Sequence, residues 1–360
     1  MTAVNSNTTD YEHCRRLIKT GSRSFYAASL LLPWRVRRPA YALYAFCRIS
    51  DDAIDEPLDG ADQGFQALDD LHRRLDAVYR GEPRSAAVDR AFAKVVEEHA
   101  MPRELPEALL DGFRWDLEGR RYETLDELHA YAARVAGAVG AMMTVLMGRR
   151  DRETLARACD LGVAMQMTNM ARDIGEDARA GRVYIPLEWF EDFQIKPEKL
   201  TESPTFSPPI ASFARLMVED AATLYDRAAS GIAGLPLDCR PAIQAARMIY
   251  REIGHEIGRN GWNSVDHRAV VSSGRKRTLL GSAVVAATLT ASRAEAPPLP
   301  ETAYLVDAAA QNVTPASDGP DRFLPWTRID ARAGRLVELL QIAEERKRAA
   351  LFAPDVTPRY

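Results

Sequence analysis

The chain has 360 residues, of which 46% are hydrophobic and 27% charged, enough apolar material for a sizeable buried core in one or two domains. A formal net charge of −4 argues against a nucleic-acid binder, whose whole domain would be basic. The four cysteines (Cys14, Cys47, Cys159 and Cys239) show no CxxC or metal-ligand spacing, and no charged-then-apolar leader opens the sequence, which together point to a reduced, cytoplasmic protein.

Helical periodicity begins with the stripe Tyr11, Cys14, Leu17 and Ile18, behind the cap candidates Thr9 and Asp10. A second segment runs from Ser22 to Leu32 and stops at Pro33. A third starts near Pro39, carries Tyr41, Tyr44, Ala45 and Ile49, and stops before Pro57. The same spacing predicts helices around 65–80, 87–100, 103–121, 125–148, 152–180, 207–234 and 240–259. The longest mostly apolar run, Leu279 to Ala291, falls short of the roughly 18 apolar residues of a membrane span. Alternating β-branched runs bounded by tight turns are missing, so the predicted fold class is all-α. From Ser292 to about Pro325 the prolines 297, 298, 300, 315, 320 and 325 stand among small and polar residues, which reads as a linker. Beyond it, Leu336, Leu339, Leu340 and Ala343 predict an amphipathic helix over about 329–351. The chain therefore divides into one helical domain, 1–291, and an extension, 292–360.

Two segments carry chemistry. In Arg48-Ile-Ser-Asp51-Asp52-Ala-Ile-Asp55, residues three and four apart share one helix face, so Arg48, Asp51, Asp52 and Asp55 project together. Like charges at that spacing weaken an isolated helix, and the residues upstream are apolar and aromatic (Tyr41, Leu43, Tyr44, Phe46). Read alone, the string also suits a solvated acidic helix end. In the second segment Gln166, Asn169, Asp173 and Asp177 form one polar stripe on a helix otherwise rich in methionine and alanine, a stripe that is costly to bury without partners. Two carboxylate pairs facing each other across a cavity need cations between them to stay ionised. Hard oxygen ligands that leave open positions suit Mg²⁺, which bridges to substrate phosphates and stabilises a departing diphosphate as a Lewis acid.

The strings GSRSF (21–25), YALYAFCRISDDAIDE (41–56), QMTNMARDIGEDARAGRVYIP (166–186) and ARMIYREIGHEI (246–257) resemble the head-to-head prenyl synthases, the squalene and phytoene synthase family, over about residues 10–290. The YAFCR and GEDARAGRVYIP forms are most similar to the bacterial phytoene synthases. The resemblance implies a single-domain, isoprenoid-synthase-type helical bundle around a central cavity. It implies that Asp51, Asp55, Asp173 and Asp177 hold Mg²⁺ (or Mn²⁺), with Asn169 and Gln166 in the same pocket and Asn169 among the metal ligands. Ser22, Ser24 and Phe25 match a flap over the diphosphate region. Arg48 and Arg172 match cations that pair with phosphate oxygens. Tyr44, Tyr184 and Tyr250 match tyrosines of the cavity, whose ring faces stabilise carbocations; plain core packing suits any one of them as well. Apolar residues such as Leu43, Phe46, Met142, Met143 and Met165 would wall the tunnel or simply fill the core.

The implied reaction joins two geranylgeranyl diphosphates. Loss of one diphosphate gives an allylic cation that alkylates the second substrate, and proton loss closes a cyclopropyl diphosphate. A second ionisation opens that ring, and a last proton loss gives phytoene for carotenoid biosynthesis, without NADPH. Squalene synthases instead quench the last cation with hydride from NADPH. Two further readings stay open: a C15-using squalene or dehydrosqualene synthase, and a non-catalytic assembly factor on the same fold, which the four intact aspartates argue against. A head-to-tail prenyltransferase or terpene cyclase would carry DDxxD with NSE-type or repeated DDxxD motifs, which the second segment does not match. GxGxxG, GxxxxGK[ST], HExxH and GxSxG are absent. The expected partners are the prenyl diphosphate and downstream carotenoid enzymes, with no nucleic acid and a monomeric chain. The basic pieces Arg35/Arg37/Arg38 and Arg275/Lys276/Arg277 read as solvated faces, or as peripheral contacts to anionic lipid at the inner face of the cell membrane.

Overall fold

The structure, a computed structural model, describes residues 2–55, 61–288 and 296–311, with side chains described from Thr9 onward except at 55, 61 and 62. Fifteen α-helices, and no strand, occur among the described residues. The first six are α1 (Thr2–Gly21), α2 (Arg23–Ser29), α3 (Trp34–Asp55), α4 (Ala61–Tyr79), α5 (Ala87–His99) and α6 (Glu104–Leu117). Next come α7 (Leu125–Ala132), a π-helical turn at Ala133–Gly137, and α8 (Ala138–Leu146). The long α9 (Arg152–Arg179) is followed by short α10 (Leu187–Asp192) and α11 (Glu198–Glu202), then α12 (Pro208–Gly231) with a 3₁₀ turn at Ile232–Gly234. The last are α13 (Arg240–Arg259), α14 (Ser273–Thr288) and α15 (Ala303–Gln311). The fold class is therefore the one the periodicity predicts.

Helix α9 is the axis of the bundle, with α12, α13, α8 and α15 against it. It is nucleated by Asp151, whose carboxylate accepts from the Thr154 N–H at 2.9 Å as an N-cap. Its approach to the π turn is close because residue 162 is glycine: a Cβ there would fall 2.3 Å from the Ala136 carbonyl oxygen. Antiparallel packing of α12 is pinned by a buried Thr168–Tyr225 hydroxyl pair at 2.9 Å. On the other side Phe46 of α3 stacks on Phe92 of α5, centroids 4.1 Å apart. Helix α3 begins at Trp34 rather than near Pro39, because the Pro33 carbonyl accepts from Val36 and Arg37 and so opens the helix a turn and a half before that proline.

The main difference from the sequence reading lies after residue 295. Residues 296–311 were expected within a linker, yet α15 packs on α9, α8 and α6 with Leu305, Val306 and Ala309 buried. Arg157 donates to the carbonyls of Ala296 (3.0 Å) and Pro297 (3.1 Å), and Arg150 donates to that of Ala309 (3.0 Å). The prolines at 297, 298 and 300 set an extended entry into a 3₁₀ turn, and the apolar stripe that follows spans barely two turns, too few for its period to show. The predicted helix over 329–351 lies outside the described residues.

Candidate active site

A cavity of about 720 Å³ runs inside the bundle, along α3, α8, α9 and α13. Three of those helices, α3, α9 and α13, bring polar side chains to one end of it. Arg48 and Asp51 come from the last turns of α3, Gln166, Asn169 and Arg172 from the second half of α9, and Tyr250 from α13. Ser22 and Ser24 complete this polar mouth from α2, and Ser22 also caps that helix by accepting from the Phe25 N–H at 3.3 Å. Phe25 stacks on Tyr250 at 5.1 Å and meets Tyr44 edge-on at 6.4 Å, so three aromatic rings form one wall just below the polar groups. The Tyr44 hydroxyl occupies the space a Cβ of residue 21 would need, which accounts for Gly21. Toward the opposite end the lining is largely apolar (Leu43, Met143, Met147, Leu161, Leu235 and Ile243), with Thr154 and Arg157 among them. Along α9 the lining extends from Arg172 back to Thr154, eighteen residues and hence about 27 Å at 1.5 Å per residue.

Arginines pair with several of the carboxylates. Arg48 pairs with Asp52 at 2.6 Å and Asp51 at 3.5 Å, all half exposed at the rim. Asp173 receives Arg172 Nε at 2.8 Å and Arg268 Nε at 2.9 Å. Burial pushes the Asp173 carboxyl up, but the two guanidiniums outweigh it and hold it below the usual carboxylate range. Asp177 lies one turn on, beside Arg182 and Tyr184 rather than on the cavity wall. Its burial, opposed by Arg182 and reinforced by Asp173, Glu176 and Asp116, pushes its carboxyl up to about 7. Asn169 donates weakly to Gln166 Oε1 at 3.4 Å while its buried Oδ1 has no hydrogen-bond partner. The backbone of Asp55 ends α3, and its side chain lies outside the described residues.

A metal ion at this mouth would meet oxygen donors only. Among the described residues no three acidic, histidine or cysteine side chains converge on one point. That is the regime of Mg²⁺, which takes one or two carboxylates and completes its shell with water and phosphate oxygens. The unpartnered Asn169 Oδ1, and the Asp177 carboxyl that burial pushes up to about 7, are acceptors that a cation would satisfy.

Besides Asp177, the structure moves Tyr184 off the cavity wall, and it adds several residues. The Tyr184 hydroxyl does not face the cavity; it donates to Asp116 Oδ1 at 2.7 Å, while Tyr131 donates to Asp116 Oδ2 at 2.9 Å, the two rings stacking at 5.1 Å. Asp116 and Tyr131 themselves line the cavity. Asp116 stands alone in Phe-Arg-Trp-Asp-Leu, without the i, i+4 partner that marked the other aspartates, so the sequence offered no signal for it. Arg23, Arg268 and Lys276 add positive charge to the mouth, and burial together with nearby Arg23 lowers the Lys276 ammonium below its ordinary range. Arg268 comes from the loop after α13, where nothing periodic distinguishes it.

An all-helical bundle around a deep apolar cavity, with carboxylates, amides and cations gathered at one end, defines an isoprenoid-synthase class of enzyme. Residues 18–276 match the model of the squalene/phytoene synthase family. The chain belongs to that family, whose enzymes transfer prenyl groups from prenyl diphosphates. It is 52% identical to a phytoene synthase of Rhodobacter capsulatus over 306 residues, covering 84% of this chain and 90% of that one. It is 50% identical to a phytoene synthase of Cereibacter sphaeroides, covering 84% and 88%. Among solved structures, a dehydrosqualene synthase in complex with ligand superposes with a TM-score of 0.71 at 31% identity, covering 78% of this chain and 96% of that one. A squalene synthase from Alicyclobacillus acidocaldarius gives 0.64 at 27%, covering 71% and 95%.

Proposed function

We propose that this chain is a phytoene synthase that joins two geranylgeranyl diphosphates head to head, using Mg²⁺ and no NADPH. The observation that carries the reading is the polarity of the cavity: diphosphate-binding chemistry at one end of a lining about 27 Å long on α9, of which the roughly 18 Å behind Gln166 is largely apolar and suits a long prenyl tail. The relatives at 50–52% identity support the C20 substrate over the C15 alternative, whose solved examples stand at 31% and 27%.

In this reading Asp51, Asp55, Asn169, Asp173 and Asp177 hold the metal. Mg²⁺ supplies Lewis acidity toward the leaving diphosphate. Arg48, Arg172 and Arg268 present guanidiniums whose forked geometry fits a phosphate as well as the carboxylates they now hold. Arg23 and Lys276 add charge at the same rim. Ser22, Ser24 and Phe25 at the start of α2 cover the mouth. The stacked Phe25–Tyr250 pair and Tyr44 offer ring faces to an allylic cation immediately beneath the diphosphate. Asp116 holds the hydroxyls of Tyr131 and Tyr184 in fixed orientation at the cavity edge. The apolar wall excludes water, which would trap a cation.

Diphosphate release from geranylgeranyl diphosphate tests the site. Release should require Mg²⁺ and disappear in Asp51→Asn while the thermal midpoint stays unchanged; release that persists without divalent metal refutes the assignment. No helix among the described residues is long and apolar enough to cross a membrane.

A further inference from the structure

We propose that the end of the cavity opposite the carboxylates is an exit through which the product passes directly into a lipid bilayer seated on Trp34 and Leu237. The inference deepens the function proposed above and rests on its product being a hydrocarbon.

Two turns close that end. One is the α2–α3 turn, which carries Leu32; the other lies between the 3₁₀ turn after α12 and the start of α13, and carries Leu235. Both leucines line the cavity and are buried. Two residues further along each turn the side chain points the other way: Trp34 is 53% exposed and Leu237 57%. The partition between cavity and solvent is thus one leucine deep in each turn, with a large apolar residue on its outer face.

Each turn is rigid in itself. Arg37 of α3 donates to the carbonyls of Leu30 (2.8 Å) and Leu32 (2.7 Å), and Arg240 of α13 donates to those of Leu235 (2.9 Å) and Ala233. Across the seam the turns are joined by Arg35 and Asp238 at 2.8 Å, with Arg35 also near Cys239 Sγ. Arg35 is half exposed, and a solvated ion pair of this kind is weak. Opening this exposed ion pair, beside the packing of α2 on α13, leaves both clips intact.

The chemistry of the two ends decides the direction. A hydrocarbon leaving by the mouth would have to pass Arg48, Asp51, Arg172, Arg268 and Lys276 and strip their water. At the far end it meets mainly apolar groups, Leu32, Leu235 and Ile232 among them, beside Thr154 and an Arg157 already paired with Asp160. An exposed indole suits the headgroup level of a bilayer. The Arg38 guanidinium lies over that indole at 5.5 Å and over Tyr11 at 4.5 Å, adding a cation for anionic headgroups beside the apolar lip. Aromatic, aliphatic and basic groups side by side suit the interfacial level of a bilayer with anionic headgroups.

The test uses the full chain, Mg²⁺, geranylgeranyl diphosphate and vesicles of phosphatidylcholine with phosphatidylglycerol. Hydrocarbon formed in a single turnover with enzyme in excess reports the chemistry; steady-state turnover and transfer into vesicles report release. Trp34→Glu/Leu237→Glu, and the neutral pair Trp34→Gln/Leu237→Gln, should leave the single turnover unchanged. Vesicle-stimulated turnover and vesicle co-sedimentation should both fall, on the order of tenfold, from the lost apolar burial. Val285→Glu, an equally exposed apolar site on α14, should change neither, and Asp238→Ala should speed transfer. The proposal is overturned if the lip variants keep full vesicle-stimulated turnover, if Val285→Glu loses as much, or if the lip proves to be covered by a second copy in solution. Failure of the single turnover in the unaltered chain would instead refute the phytoene synthase reading.

Discussion

Asp160 allows the fold's most buried charge cluster to be tested quantitatively. It is fully buried on α9, with Arg157 Nε at 2.9 Å and Arg227 Nε at 3.1 Å, and Arg157 is 2% exposed. Burial raises the Asp160 carboxyl, while Arg157 and Arg227 oppose the rise. The guanidinium groups also hold the carbonyls of Ala296 and Pro297, so this one carboxylate organises the chain leading into α15. Asp160→Asn keeps the shape but leaves buried positive charge uncompensated, at a cost of about 3–5 kcal/mol. At roughly 2 °C per kcal/mol for a chain of this size, the thermal midpoint should fall by about 6–10 °C. Circular dichroism melts measure it, and limited proteolysis should show earlier cleavage near residue 296. Replacing the whole cluster, Arg157→Met/Asp160→Leu/Arg227→Met, should recover much of the loss, because no unpaired charge remains. A single-variant shift below about 2 °C would refute the reasoning that the pair, rather than apolar packing, secures this segment.

Other consequences follow from the same structure. Asp173→Asn frees Arg172 and Arg268 and should lower kcat on the order of 10²-fold or more with little change in the melt, measured as labelled diphosphate release. Tyr184→Phe removes the 2.7 Å hydroxyl donor from Asp116 Oδ1 and should cost about 1–3 kcal/mol, read as a lower denaturant midpoint. Glu252, buried between Arg275, Arg259 and His255, has its carboxyl pulled down to about 2, chiefly by Arg275. A depressed folded value contributes stability above the ordinary value of 4.5 that is lost as pH falls toward 2, about 3 kcal/mol for this shift. Glu252→Gln should therefore flatten the stability curve between those pH values, and an unchanged slope would place the acid sensitivity elsewhere.

Much of this molecule was legible because its information is periodic. The long helices α9, α12 and α13 announce themselves through apolar spacing, and the two aspartate stripes through i, i+4 acid pairs that an ordinary helix avoids. Asp51, Gln166 and Asn169 were found this way and Arg172 through the family resemblance, and the structure brings them to one mouth. What stayed hidden depends on contacts between distant segments. Asp116 becomes a partner for Tyr131 and Tyr184 only when α6, α7 and the loop after α9 meet. Arg268 reaches Asp173 across ninety-five residues from a loop without pattern. The basic pieces read as solvated faces divide in three dimensions: Arg37 is buried as a clip for the α2–α3 turn, Arg275 pairs with Glu252, and Lys276 enters the cavity wall. Charge density in sequence does not say which way a side chain turns.

The central claim is met most directly by the identity of the product. The purified chain would be given Mg²⁺ with geranylgeranyl diphosphate, with farnesyl diphosphate, and with both in competition, each with and without NADPH, and the extracted hydrocarbon resolved by mass and absorption. The account predicts a C40 hydrocarbon with a conjugated triene, formed without NADPH and preferred in competition. A C30 hydrocarbon as the dominant product, or a requirement for NADPH, would contradict it.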